Sequence, residues 1–159
     1  MLLLTLFVML VLANGMPVIA HWLLGDRWSH AIDGGRMWRD GRPLFGSSKT
    51  WRGLISGGIA CTLFSMLAGL GLVFGLVFGL LALGGDLVSS FIKRRMGLAS
   101  SAQALGLDQL PEAAIPLTYA ALVLPFPWWQ AVVLVLVFGV ANVVCSPLLY
   151  RLGIRRHPH

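Results

Sequence analysis

Charge is the scarcest property of this 159-residue chain: only eighteen residues carry it, six acidic against twelve Lys and Arg, and none of them falls in residues 1–25, 53–85 or 113–150. Stretches that long, rich in Leu, Val, Phe, Ala and Gly, are not the pattern of a soluble core, whose helices carry a polar face. Cysteine is nearly absent too. Cys61 and Cys145 lie in apolar surroundings, where a thiol behaves as a small hydrophobe, and no zinc-ligand spacing exists. His21, His30, His157 and His159 are scattered and are assigned no chemistry. The N-terminal Met-Leu-Leu-Leu run lacks the basic segment and small-residue cleavage site of a secretory signal, so it reads as a retained first helix.

What is present implies a polytopic, all-α membrane protein. A helix needs roughly 20 residues to cross about 30 Å of hydrocarbon. The first uncharged stretch holds one span, and the other two hold two each, divided near Leu70-Gly71 and at Pro125-Phe126-Pro127. The expected helices are roughly 2–24, 50–69, 71–95, 109–125 and 128–150, with loops 25–49 and 96–108, in one integral domain 1–159. Parity supports five. With five spans all twelve Lys and Arg share one face, cytoplasmic by the positive-inside rule, with the N-terminus outside and Arg151, Arg155 and Arg156 inside. Trp22, Trp28, Trp51 and Tyr150 then mark the inner interface and Trp128 and Trp129 the outer.

A net charge of +6 usually raises nucleic acid as a partner, but here the basic residues line one membrane face. Anionic headgroups or a phosphate-rich small molecule fit instead. The spacing of Gly71, Gly75 and Gly79 suits close helix packing, within the bundle or in a homodimer.

Two spans cannot fit in residues 53–85, so the third helix must continue past Asp86, leaving that carboxylate roughly 10 to 14 Å below the helix end, inside the inner leaflet. An intramembrane carboxylate is a functional candidate by default. Asp86, Ser89, Ser90 and Lys93 share one helix face, a lining suited to metal and phosphate; the competing reading is an ion pair of Asp86 with Lys93 or Arg94 that anchors the helix end. The first loop, from Asp40-Gly41-Arg42 through Gly46 to Lys49-Thr50-Trp51-Arg52-Gly53, has the ingredients of a phosphate cradle. It is not a Walker loop, since Lys49-Thr50 stand two residues too far from Gly46 and no strand precedes them. Arg27 and Arg36 do no more than satisfy the positive-inside rule. Asp108, before the fourth helix, can join Asp86 in holding a divalent metal, or with Glu112 can favour the helix N-terminus.

These motifs taken in order, with Gly85-Asp86-Leu87, Ser89-Ser90, Lys93-Arg94-Arg95 and Leu107-Asp108-Gln109, resemble the CDP-archaeol synthase family, related to CDP-diacylglycerol synthases. Asn14 with Pro17 and Asp33-Gly34 also look like family positions. The resemblance implies a membrane cytidylyltransferase that joins CTP to a phosphatidate-type lipid with Mg²⁺ and releases pyrophosphate. It implies Asp86 and Asp108 as metal ligands, Lys49, Arg52, Lys93 and Arg94 on phosphates, and Thr50, Ser89 and Ser90 as hydrogen-bond donors. Asp40, Gly41, Arg42, Gly46, Gly53 and Gln109 complete the expected nucleotide site. One departure stands out: the family tends to read Asp-Gln-Leu-Asp where this chain has Asp108-Gln109-Leu110-Pro111, with Glu112 one place beyond. The rival readings are a non-catalytic transporter or lipid-binding protein, and a CDP-alcohol phosphotransferase, whose four-carboxylate pattern is missing after Asp40-Gly41.

Overall fold

A computed structural model describes residues 1–100, 102, 104 and 106–151, and the side chains of these up to Cys145. Arg155, Arg156, His157 and His159 lie outside the described residues, as do the side chains of Tyr150 and Arg151. The described part is all-helical, with α1 Leu2–Leu24, α2 Trp51–Leu67, α3 Leu72–Arg95, α4 Gln109–Val123 and α5 Trp128–Arg151. Three apolar helical segments are long enough to cross a membrane, Leu2–Leu24, Leu72–Arg95 and Trp128–Cys145. Helices α2 and α4 are shorter, 17 and 15 residues. Their ends have local causes. Thr50 caps α2 by accepting the Gly53 amide, Gly69 and Gly71 take positive φ at the α2–α3 turn, and Pro125 and Pro127 bound the α4–α5 turn.

Each helix packs on the next in chain order, and α1 also touches α3, α4 and α5, closing the bundle. At the uncharged end the interior is filled by Leu6, Met9 and Leu10 of α1, Cys61 of α2, Phe74 and Phe78 of α3, Leu117 of α4 and Leu134 and Phe138 of α5. The outer surface is equally apolar: Ile55, Ile59 and Leu63, Leu72, Leu76 and Leu80, and Val132, Leu136 and Val140 are all exposed. Apolar surface of that extent, on faces turned away from the bundle, is what lipid tails cover. The protein is a multi-pass membrane protein.

Close backbone contacts hold the helices together along the bundle. Pro17 has no amide to offer the Ala13 carbonyl, and that oxygen lies where a Cβ on Gly57 would have to go, 2.5 Å away. Gly75 packs on Ser65 and Thr62, and Gly79 on Cys61, so these two glycines serve contact between α2 and α3. Gly71 is instead the residue before α3, with φ 87°. The tightest contact is Gly85 of α3, where a Cβ would overlap the carbonyl of Pro111 in α4.

Gly85 precedes Asp86, and Pro111 follows Asp108 by three, so this contact fixes the spacing of the two helices that carry both carboxylates. Gly85→Ala must push α3 and α4 apart. The expected loss is about 1–3 kcal/mol, read as a lower midpoint of thermal unfolding in detergent. Gly84→Ala, with nothing within 4 Å of its Cβ, is the control expected to leave the midpoint unchanged.

Candidate functional site

A cavity of about 730 Å³ opens among the charged ends of all five helices. Its walls include Asn14, Pro17 and His21 of α1, Thr50, Arg52 and Gly53 at the start of α2, and Asp86, Ser90, Lys93 and Arg94 of α3. Asp108, Gln109 and Glu112 come from the start of α4, Asn142 from α5, and Ser47, Ser48 and Lys49 from the first loop. Residues spread over 129 positions of sequence, 14 to 142, therefore meet in one space.

The first loop delivers Lys49 by an internal scaffold centred on Asp33. Its carboxylate is buried and accepts the backbone amides of Phe45 at 3.0 Å, Gly46 at 2.9 Å and Gly35 at 3.0 Å. Burial pushes the Asp33 carboxyl up, but the amides of Phe45, Gly46, Gly35 and Asp33 itself outweigh it and hold the group below the usual carboxylate range. At the neck of the loop the Ile32 amide bonds the Lys49 carbonyl at 2.8 Å and the Trp51 amide bonds the His30 carbonyl at 3.1 Å. A clamp ties the loop to the end of α3: Arg95 meets Asp40 at 2.5 Å and the Pro43 carbonyl, while Arg42 donates to the Arg95 carbonyl. The Phe91 ring lies 5.0 Å from the Arg95 guanidinium and edge-on to Trp38 and Phe45.

The resulting ion pairs differ from the intrahelical ones that spacing offered. Asp86 pairs with Lys49 at 2.6 Å, not with Lys93 or Arg94; Lys93 pairs with Asp108 at 2.5 Å. Lys93 also donates to the Ala102 carbonyl, and Asp108 accepts the Ala104 amide. Arg94 is 5% exposed, donates to the Ala99 carbonyl and takes part in none of the described ion pairs.

Several expected positions move. Ser89 is fully buried and its hydroxyl bonds back to the Gly85 carbonyl, outside the cavity lining; helical spacing puts it on the face of Asp86, but the close packing of α3 on α4 covers it. Arg52 lines the cavity, yet its guanidinium is engaged by the carbonyls of Gly25 and Arg27 and by His21 Nδ1 at 2.8 Å. It therefore fastens the end of α1. Asp40 and Arg42 belong to the clamp, and Gly41 makes its turn with φ 72°. Arg42 and Gly46 line a smaller neighbouring cavity of about 500 Å³, which shares Ser47, Arg94 and Ser100 with the first. Thr50 and Gln109 reach the main cavity while also bonding backbone amides, of Gly53 and Gly106.

Sequence reasoning gave no role to His21, Asn142 or Arg95. A polar residue in an uncharged helix was the available signal for Asn142, which donates to Glu112 at 3.1 Å. Nothing in the local sequence singles out Arg95 from its basic neighbours.

Comparison with known proteins fits this geometry. A family model described as CarS-like, CDP-archaeol synthase, matches residues 1–159. The chain belongs to the CDP-archaeol synthase family. A family relative from Thermococcus kodakarensis, named CDP-archaeol synthase, is 39% identical over 92% of this chain and 88% of its own. Another from Pyrococcus furiosus is 38% identical over 88% and 86%. A solved structure, described as giving structural insight into an intramembrane enzyme for archaeal membrane lipids biosynthesis, superposes with a TM-score of 0.69 at 27% identity, covering 87% of this chain and 91% of that one.

Because the Asp33 carboxyl is depressed on folding, it contributes stability above its unfolded value, about 3.9, and that contribution is lost as pH falls through the lower folded value. Asp33→Asn removes it at neutral pH. Hydrogen exchange of the Phe45 and Gly46 amides at pH 7 is expected to speed up about tenfold, in line with hydrogen bonds to a charged group worth about 1.5–3 kcal/mol. The folded helices are expected to exchange as before.

Proposed function

We propose that this protein transfers the cytidylyl group of CTP to a phosphatidate-type membrane lipid, forming a CDP-lipid and pyrophosphate. The observation that carries this reading is one cavity in which Lys49, Lys93, Arg94 and the carboxylates of Asp86 and Asp108 converge within an apolar-surfaced bundle. Such a space serves a polyanion from water and an amphiphile from lipid together. The relatives' name favours an archaeol-type ether lipid phosphate as the acceptor over its diacyl counterpart.

The acceptor needs no side-chain base, since a phosphomonoester has a second pKa near 6 and is already a nucleophilic anion at neutral pH. Its oxygen attacks the α-phosphorus of CTP, and the bond to the bridging oxygen breaks, sending the electron pair to pyrophosphate. The difficulty is repulsion between two polyanions. Lys49, Lys93 and Arg94 supply positive charge against it, in surroundings where water screens poorly. Ser47, Ser48 and Ser90 offer hydroxyls to the phosphates, and Thr50 and Arg52 keep the entrance in shape. With the charged face on the cytoplasmic side and the N-terminus outside, CTP enters from the cytoplasm and the lipid from within the cell membrane.

The cavity fits Mg²⁺ as a guest of the nucleotide. Among the described residues no three His, Cys, Asp or Glu side chains form a metal group of their own. Of the carboxylates that line the cavity, Asp86 and Asp108 suit an ion that prefers one or two carboxylates with phosphate oxygens and water. Bound there, it would neutralise charge on the transferring and leaving phosphates. The same absence of a carboxylate cluster weighs against a CDP-alcohol phosphotransferase, and the match along the whole length to a family named for synthesis weighs against a transporter.

Pyrophosphate release from CTP by the detergent-purified protein is expected to need both an archaeol-type or diacyl phosphatidate and Mg²⁺. Asp86→Asn is expected to lower the rate at least about 100-fold, the usual scale for losing a group that stabilises transition-state charge. Release that proceeds without lipid, or persists in the variant, sinks the proposal.

A further inference from the structure

Both candidate metal ligands already hold cations. Lys49 contacts both oxygens of Asp86 at 2.6 Å, and Lys93 holds Asp108 at 2.5 Å. The pairs come from different segments: a loop lysine with a helix carboxylate, and a helix lysine with a residue at the start of the next helix. Both face one cavity. A triphosphate arriving alone meets lysines whose charge is cancelled, with carboxylates beside them. A divalent cation arriving alone meets carboxylates capped by ammonium groups.

Resting on the reading of this cavity as a nucleotide site, we propose that the two pairs form a lock opened by exchange of partners. Asp86 and Asp108 turn to the divalent cation as Lys49 and Lys93 turn to the phosphates, so metal and CTP bind as one unit and neither binds well alone. Two carboxylates face one dication, two ammonium groups face two negative charges of the triphosphate, and Arg94, which takes part in none of the described ion pairs, meets a third. Exchange also places the lysines against the polyphosphate only when the metal is there. Binding order thus becomes a property of the pairing.

The pairing geometry suits such an exchange better than a permanent staple. The side chains of Lys49 and Asp86 are 20% and 29% exposed, and those of Lys93 and Asp108 9% and 21%, so an incoming ligand can reach both carboxylates. A buried ion pair gains little net stability over alternatives, because desolvation offsets the Coulombic attraction, so replacing one partner by a stronger counter-charge is feasible.

The test uses the full chain in detergent, with CTP binding measured by equilibrium dialysis in EDTA and in Mg²⁺, and Mn²⁺ binding without nucleotide by electron paramagnetic resonance. Wild type is expected to bind CTP at least about tenfold more tightly with Mg²⁺ and to bind Mn²⁺ alone weakly. Asp108→Asn frees Lys93, and CTP affinity in EDTA is expected to rise about tenfold. Lys93→Met frees Asp108, and Mn²⁺ affinity without nucleotide is expected to rise. Both are gains, which misfolding does not imitate. If neither variant gains, or wild type binds CTP equally in EDTA and Mg²⁺, the lock is overturned while the nucleotide site stands; a gain in one variant alone overturns the concerted exchange. Wild type that binds no CTP under any condition overturns the functional reading and the lock with it.

Discussion

The constraint on which the charged end depends is the expense of carrying ionised groups below the ends of apolar helices. Asp86 stands nine residues before the end of α3, about 13 Å down its axis at 1.5 Å per residue, where an unpaired carboxylate would cost several kcal/mol. The chain meets this by giving each deep charge a partner from another segment. Lys49 comes from the loop before α2, Asp108 from the start of α4, and the carbonyls at the end of α1 receive Arg52. Because these partners come from other segments, satisfying the charges and bringing those segments together around the cavity are one event.

The first loop is therefore an ordered surface structure anchored to the bundle and not a tether. Its path is set by an anion, Asp33, that gathers backbone amides as a bound phosphate would, and by the Arg95 and Arg42 clamp at the end of α3. The clamp exploits α3's unsatisfied terminal carbonyls, where a cation is favoured by the helix dipole. Arg95 and Arg94 adjoin in sequence but diverge in role. Arg95 is occupied with Asp40, whereas Arg94 takes part in none of the described ion pairs, lines the cavity and donates to the Ala99 carbonyl.

How much of this was legible follows from what sequence spacing constrains. Runs without charge and the breaks at Leu70-Gly71 and Pro125-Phe126-Pro127 are local properties, and the helices begin and end near them. The depth of Asp86 follows from helix rise and available length alone. Spacing says nothing about which remote lysine meets a carboxylate, so the pairs read from i, i+7 or i, i+8 neighbours gave way to ones 37 and 15 positions apart. Ser89 shows the same limit from the other side: sharing a helix face with Asp86 is necessary for sharing a cavity, but α4 packed on Gly85 decides which part of that face is open.

The departure at Pro111 can be judged in the same terms. Its carbonyl is pressed on Gly85, so this stretch of α4 runs as close to α3 as backbones allow. Glu112 lies four residues after Asp108, on the same side of the helix, and both line the cavity. The Asn142 amide holds the Glu112 carboxylate from α5, a polar contact between two helices that also share apolar core residues. Moving a carboxylate from position 111 to 112 rotates it by about 100° around the helix axis, which would ordinarily carry it out of the site. Here the cavity reaches far enough around α4 to keep it, with a partner in α5 to fix its direction. A carboxyl group one place beyond Pro111 is thus kept on the cavity wall, facing α5 through Asn142.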